Sequence, residues 1–179
     1  NFRPVKRVTD VVRAFARMLE EVDARLLLVG DGPERLSAVG VAKQLGVLDK
    51  ITSLGNVENI EDLLPAADLV FQPSEHESFG LVPLEAMACG VPVLATASGG
   101  VTEVVGHGVT GYLCGVGDID AMVRYGVAIL SDPALRADLG ARARERVLTR
   151  FPVDRIVGQY EELYAEVLER RRALGGTPH

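Results

Sequence analysis

Apolar residues recur along this chain in two alternating rhythms. Val8, Val11, Val12, Phe15, Leu19 and Val22 fall at helical spacing, with Arg13, Arg17, Glu20 and Glu21 between them, which predicts a first helix with one buried face. RLLLVG (25–30) is a short continuous apolar run closed by Asp31-Gly32-Pro33, the pattern of a buried strand followed by a turn. The same alternation then repeats. A helical stretch runs to about Gly46, followed by strand ITSLG (51–55), short helix IEDLLPAA (60–67) and strand DLVFQP (68–73). A helix from about Pro83 to Cys89, strand VPVLAT (91–96) and a helix opened by Gly99-Gly100 come next, before the last strand candidate, TGYLC (110–114). The remainder is helical over Ile119–Leu130, Pro133–Thr149 and Ile156–Glu169, and residues 171–179 form a tail expected to fray.

Short apolar strands alternating with helices predict βαβ units, hence an α/β fold: a doubly wound, Rossmann-like parallel sheet covered on both faces. The expected domain spans residues 1–170. In such sheets ligands bind beyond the carboxyl ends of the strands. Four loops fall there: Asn1–Arg7, Gly30–Glu34, Pro73–Val82 and Ala97–Val101.

Composition narrows the functional classes. The chain has 179 residues, 47% of them hydrophobic and 25% charged, enough for one domain with a sizeable core. A formal net charge of −6 argues against a nucleic-acid surface. No apolar run approaches the roughly 20 residues needed to cross a bilayer, and no secretory pattern precedes the first helix, so a cytoplasmic location is expected. The two cysteines, Cys89 and Cys114, have no metal spacing and are expected as reduced thiols. The opening at Asn1 without methionine is the expected look of a piece of a longer polypeptide.

The third loop carries the most chemistry. In SEHESFGLVPLEAMACG (74–90), Glu77 lies in a turn and Glu85 in the helix that follows. The backbone N–H groups around Phe79, Gly80 and Leu81 sit at that helix's start without intrahelical partners and favour an anion there. Gly80 permits close approach. Glu85 is placed to accept hydrogen bonds from a vicinal diol such as a ribose, and Glu77 from hydroxyls at the other end of a diphosphate-linked molecule. A nucleotide sugar has that constitution. The bland alternative is a pair of solvated carboxylates near a helix start, where they are favourable anyway. Gly99-Gly100 serves either tight packing or ligand contact. His76 is taken as a bystander, His107 as structural and Cys89 as core. Gly30-Asp31-Gly32 does not complete a dinucleotide fingerprint, because Arg35 stands where the third glycine belongs; this disfavours a dehydrogenase.

Glu77-x7-Glu85 within SEHESFGLVPLEAMACGVPVLAT resembles the signature of the retaining glycosyltransferases of family four. LLLVGDGPE, Gly55-Asn56-Val57, AADLVFQPSEHESFG, GGVTEVV and HGVTGYL follow in the family's order. The resemblance covers nearly the whole chain and implies the donor-binding half of a two-domain GT-B enzyme. It implies that Glu77 contacts donor-sugar hydroxyls, that Glu85 contacts the ribose, and that the amides of Phe79, Gly80 and Leu81 meet the diphosphate and sugar. The backbone near Val57 would meet the base. Lys6 and Arg3 look like the basic pair that neutralises the diphosphate. With Lys6 aligned, Asn1 stands where an arginine is common, so either Arg3 substitutes from two residues later or Asn1 contacts the phosphate as a neutral donor.

Charge compensation by protein groups implies no metal and no cofactor beyond the donor itself. Within the family, NFRPVKRVTDVV with EVDARLLLVGDGPE resembles the branch of bacillithiol biosynthesis that moves N-acetylglucosamine from UDP-GlcNAc to L-malate. The small acceptor would bind mainly on an N-terminal domain outside this chain, leaving the isolated domain inactive or weakly active. Another sugar donor or acceptor, or a non-catalytic module that senses nucleotide sugars, is the alternative. The last helix, with Tyr160, Leu163, Tyr164 and Val167, would pack either on that other domain or on this one.

Overall fold

A computed structural model of the chain describes residues 1–173. Five parallel strands alternate with helices: β1 (Leu26–Val29), β2 (Ile51–Gly55), β3 (Val70–Gln72), β4 (Val93–Thr96) and β5 (Gly111–Cys114). Their helices are α1 (Val8–Met18), α2 (Arg35–Gln44), α3 (Ile60–Leu63), α4 (Leu81–Ala88), α5 (Val101–Val104), α6 (Ile119–Ser131), α7 (Pro133–Arg150) and α8 (Val153–Ala173). The architecture is the expected Rossmann-like α/β fold.

Hydrogen bonding divides the strands into two groups, β1–β2 and β3–β4–β5. Side chains span the gap: Phe71 of β3 packs against both the β1/α1/α2 cluster and the cluster of α1, α6 and β4. In β4, Val93 and Ala95 join one cluster while Leu94 joins another, so both faces of this strand are covered. That double burial is why VPVLAT is apolar without alternation.

Helix boundaries follow local chemistry. Asp118 caps α6 by accepting from the Ala121 amide at 2.9 Å, and Asp132 caps α7 by accepting from Ala134 and Leu135 at 2.9 and 3.0 Å. Each such cap is worth about 1 kcal/mol. α1 ends at Met18, short of the spacing that continues to Val22. There the amides of Glu20 and Glu21 turn back to the carbonyls three residues before, tightening the chain out of the α-helix. α8 begins at Val153 and extends through Ala173, into the segment expected to fray; residues 174–179 of that segment lie outside the described residues. Cys89 is half-buried and Cys114 buried, both as free thiols; burial pushes the Cys114 thiol up to about 11, with Asp118 adding to the shift.

Candidate functional site

The four loops named from the sequence meet at the carboxyl ends of β1, β3 and β4. The N-terminal segment is the connector. Phe2, 7% exposed, donates its N–H to Asp31 O at 2.9 Å and accepts from the Glu34 amide at 2.9 Å, which seats the segment on the loop after β1. Val5 O accepts from the Glu75 amide at 2.8 Å, tying the same segment to the loop after β3. Glu77 O then accepts from the Gly100 amide at 3.1 Å, and Ser98 Oγ donates to Glu75 O at 2.6 Å, which draws in the loop after β4.

At this junction the Lys6 Nζ reaches Glu77 Oε2 at 2.5 Å, across 71 positions of sequence. The side chains are 34% and 18% exposed, so the pair is partly shielded from water. Gln72 Nε2 donates to the same oxygen at 2.9 Å, and Ser74 Oγ lies 3.5 Å from it. Glu77 Oε1 has no hydrogen-bond partner among the described residues. Partial burial pushes the Glu77 carboxyl upward, but the hydrogen bond and charge of Lys6, with Gln72 and Ser74, outweigh it and hold the group below its ordinary value. The carboxylate is therefore ionised at neutral pH, with one oxygen fully engaged and the other open to accept from hydroxyls. An ammonium has three N–H donors; Lys6 spends one on Glu77 and can face an anion with the others.

Gly80 caps α4 with φ +98°, a conformation natural to glycine, and packs on Val101. The amides of Phe79, Gly80 and Leu81 donate to no protein group among the described residues, as is usual for the first N–H groups of a helix. Pro83 stands at the third helical position, where its missing N–H costs nothing. Glu85 is exposed on α4, and Phe79 is 39% exposed with its ring T-shaped against that of Phe151. Gly99-Gly100 has a packing reason: a Cβ on Gly100 would stand 2.5 Å from Ser78 O and 2.7 Å from Phe79 Cα, and one on Gly99 would collide with Glu77 O.

Val57 lies apart from the Lys6–Glu77 network, in a cleft of about 570 Å³ after β2 lined by Leu54, Val57, Glu58, Asn59, Asp62 and Leu63. Arg3 and Asn1 are exposed, and neither is drawn into the Glu77 network among the described residues. A second cleft of about 490 Å³ beside α1 and α6 contains Arg13, Arg17, Asp118 and Asp120. Its cations are already matched, Arg17 to Asp120 at 2.6 Å and Arg13 to Asp10 at 3.1 Å, so it offers an anion little. Among the described residues no group of three His, Cys, Asp or Glu is placed to hold a metal ion, and no helix is long and apolar enough to cross a membrane. Gln72, Ser74, Thr96 and Ser98 were missed as site residues in the sequence; the available signal was a glutamine in an otherwise apolar strand.

Known proteins share this frame. Over 168 residues the chain is 51% identical to N-acetyl-alpha-D-glucosaminyl L-malate synthase of Bacillus anthracis, covering 94% of this chain and 44% of that protein. Sucrose-phosphate synthase from Thermosynechococcus elongatus superposes with a TM-score of 0.87 at 33% identity, covering 94% of this chain and 44% of its own. Anabaena HepE in complex with UDP-glucose superposes at 0.86 and 30% identity, covering 93% and 47%. The chain thus spans less than half the length of these relatives. The family model described as glycosyl transferases group 1 matches residues 1–146, in agreement with the resemblance drawn from the Glu77–Glu85 motif. The chain belongs to that glycosyltransferase family.

Proposed function

We propose that this chain is the donor-binding half of a retaining glycosyltransferase that moves N-acetylglucosamine from UDP-GlcNAc to L-malate. The observation that carries the reading is the Lys6–Glu77 pair, which leaves Glu77 Oε1 open two residues before the unpartnered amides of Phe79, Gly80 and Leu81. A cation, a free carboxylate oxygen and a helix N-terminus together suit a diphosphate joined to a hydroxyl-bearing sugar. The name of the 51% identical relative supports the choice of sugar and acceptor.

In this reading Glu77 orients the sugar through its hydroxyls rather than attacking it. Glu85 takes the ribose, and the Val57 cleft takes the base through backbone groups. Lys6, aided by Arg3 or Asn1, and the three amides stabilise the negative charge that grows on the diphosphate as the bond to the anomeric carbon breaks. The acceptor hydroxyl adds on the face the diphosphate leaves, and its proton passes to the departing phosphate oxygen. No metal or further cofactor is invoked. The acceptor sits mainly on the portion of such enzymes that this chain does not span.

Calorimetric titration of the chain against UDP, GDP and NAD, with chelator present, tests this. UDP is expected to bind alone among the three. Glu85→Ala and Lys6→Ala should each weaken it by about tenfold, the worth of a charge-assisted hydrogen bond, with the fold intact. Preference for GDP would overturn the L-malate assignment while keeping the family. Unchanged affinity in both variants would overturn the site.

A further inference from the structure

Asp10, Gln72, Ser74, Thr96 and Thr110 are the buried polar or charged side chains of the described residues. Two serve local structure: Asp10 pairs with Arg7 and Arg13, and Thr110 accepts from the Gly106 amide. The other three form one hydrogen-bonded chain that ends at Glu77. Thr96 Oγ1 donates to Ser74 O, while Gln72 Nε2 donates to both Ser74 Oγ and Glu77 Oε2 at 2.9 Å.

Gln72 is the unexpected member. It occupies the last position of β3, 8% exposed, where desolvating a primary amide and freezing its long side chain both oppose folding. Its amide can face only one way. The reverse orientation would set a carbonyl oxygen against the Glu77 carboxylate. Its backbone is fixed by the ladder to β4, opposite Ala95, so it is a rigid mount. Lys6 is the contrasting partner of the same oxygen, a flexible and one-third exposed side chain whose charge an incoming diphosphate would share.

We propose that Gln72 is a positioning residue: its amide keeps Glu77 Oε2 in place when Lys6 turns to the donor diphosphate, so that Oε1 stays presented to the donor sugar. This rests on the reading of Glu77 as a sugar contact. The direction of the Glu77 shift, to which Gln72 contributes, agrees with it.

The test is Gln72→Met, similar in length but without the N–H donor. The Glu77 carboxyl is titrated by carbon-13 NMR in the ligand-free chain, its signal assigned by its loss in Glu77→Gln, and affinities for UDP and UDP-GlcNAc are measured by calorimetry. The titration should move up, UDP should bind within about twofold of wild type, and UDP-GlcNAc should weaken about tenfold. Gln72→His, which retains an N–H donor, should recover part of that loss. Equal weakening toward both ligands, or an unmoved Glu77 titration, would reduce Gln72 to a fold-supporting residue and overturn the proposal. A wild-type chain that gains no affinity from the sugar overturns the sugar contact of Glu77, and with it the purpose given to Gln72. The ligand-free titration keeps these two failures distinguishable.

Discussion

Glu77 makes the stability of this fold depend on pH in a direction fixed by its neighbours. Partial burial disfavours its charge, but Lys6 first, then Gln72 and Ser74, prevail and hold the carboxyl below its ordinary value. A group so shifted binds fewer protons folded than unfolded, so its contribution is fully present above the unfolded pKa of about 4.3. It is lost as pH falls through the lower, folded value. Glu77→Gln should therefore cost on the order of 1 kcal/mol at neutral pH, as expected for a partly exposed pair. In urea unfolding the gap to wild type should close below about pH 4. A gap that is the same at both ends of that range would mean that shape, not charge, is what Glu77 contributes. Glu77 stood out in the sequence because it lies eight positions before Glu85 in a motif, whereas Lys6 came only through the family resemblance, the spacing around it departing from the family's. Gln72 was not, because a lone glutamine in a strand acquires meaning only when the loop after it folds back and brings a carboxylate within 2.9 Å.

Elements position these groups through backbone contact, and the tightest contact is between the start of α5 and the turn before α4. Gly100 lies against Ser78 O and Phe79 Cα, and its amide donates to Glu77 O. Gly100→Ala must push the two loops apart. A loss of roughly 1–3 kcal/mol is expected, or about 2–12 °C in thermal unfolding for a chain of this size. Because the displaced backbone is the one that presents the Phe79–Leu81 amides, UDP affinity should fall with it. Wild-type affinity in a destabilised Gly100→Ala chain would uncouple the packing from the proposed anion site. From sequence alone the Gly-Gly pair suited packing and ligand contact equally, since both demand a missing Cβ. Strands and helices were recoverable from periodicity because burial imposes it. The early end of α1 was not, because the apolar spacing runs on through a turn that is no longer α-helical.

At the scale of the whole molecule, α8 stands outside the core. Its apolar residues Val153, Val157, Tyr160, Tyr164 and Val167 recur at helical spacing, yet Val153 is 74% and Tyr164 63% exposed, and none of them joins a core cluster. Packing on its own domain, one of the two roles open to this helix in the sequence, is not what it does. Periodicity reports that a face is apolar; it carries no information about what covers that face. The core instead closes at Phe151, which packs against the cluster of α4, β4 and α7 and lies T-shaped against Phe79 with ring centroids 6.0 Å apart. A chain ending at Pro152 should accordingly unfold within about 2 °C of the full chain, because surface removal of this kind changes stability by only tenths of a kcal/mol. It should also keep its affinity for UDP, since the residues assigned to the site end at the Gly99-Gly100 loop, well before Pro152. Ending the chain at Arg150 removes Phe151 as well, and there the midpoint should drop by several degrees through loss of a partly buried aromatic. Equal stability of the two truncations would place the boundary of the core before Phe151, whereas a drop in both would mean that α8 packs on this domain after all.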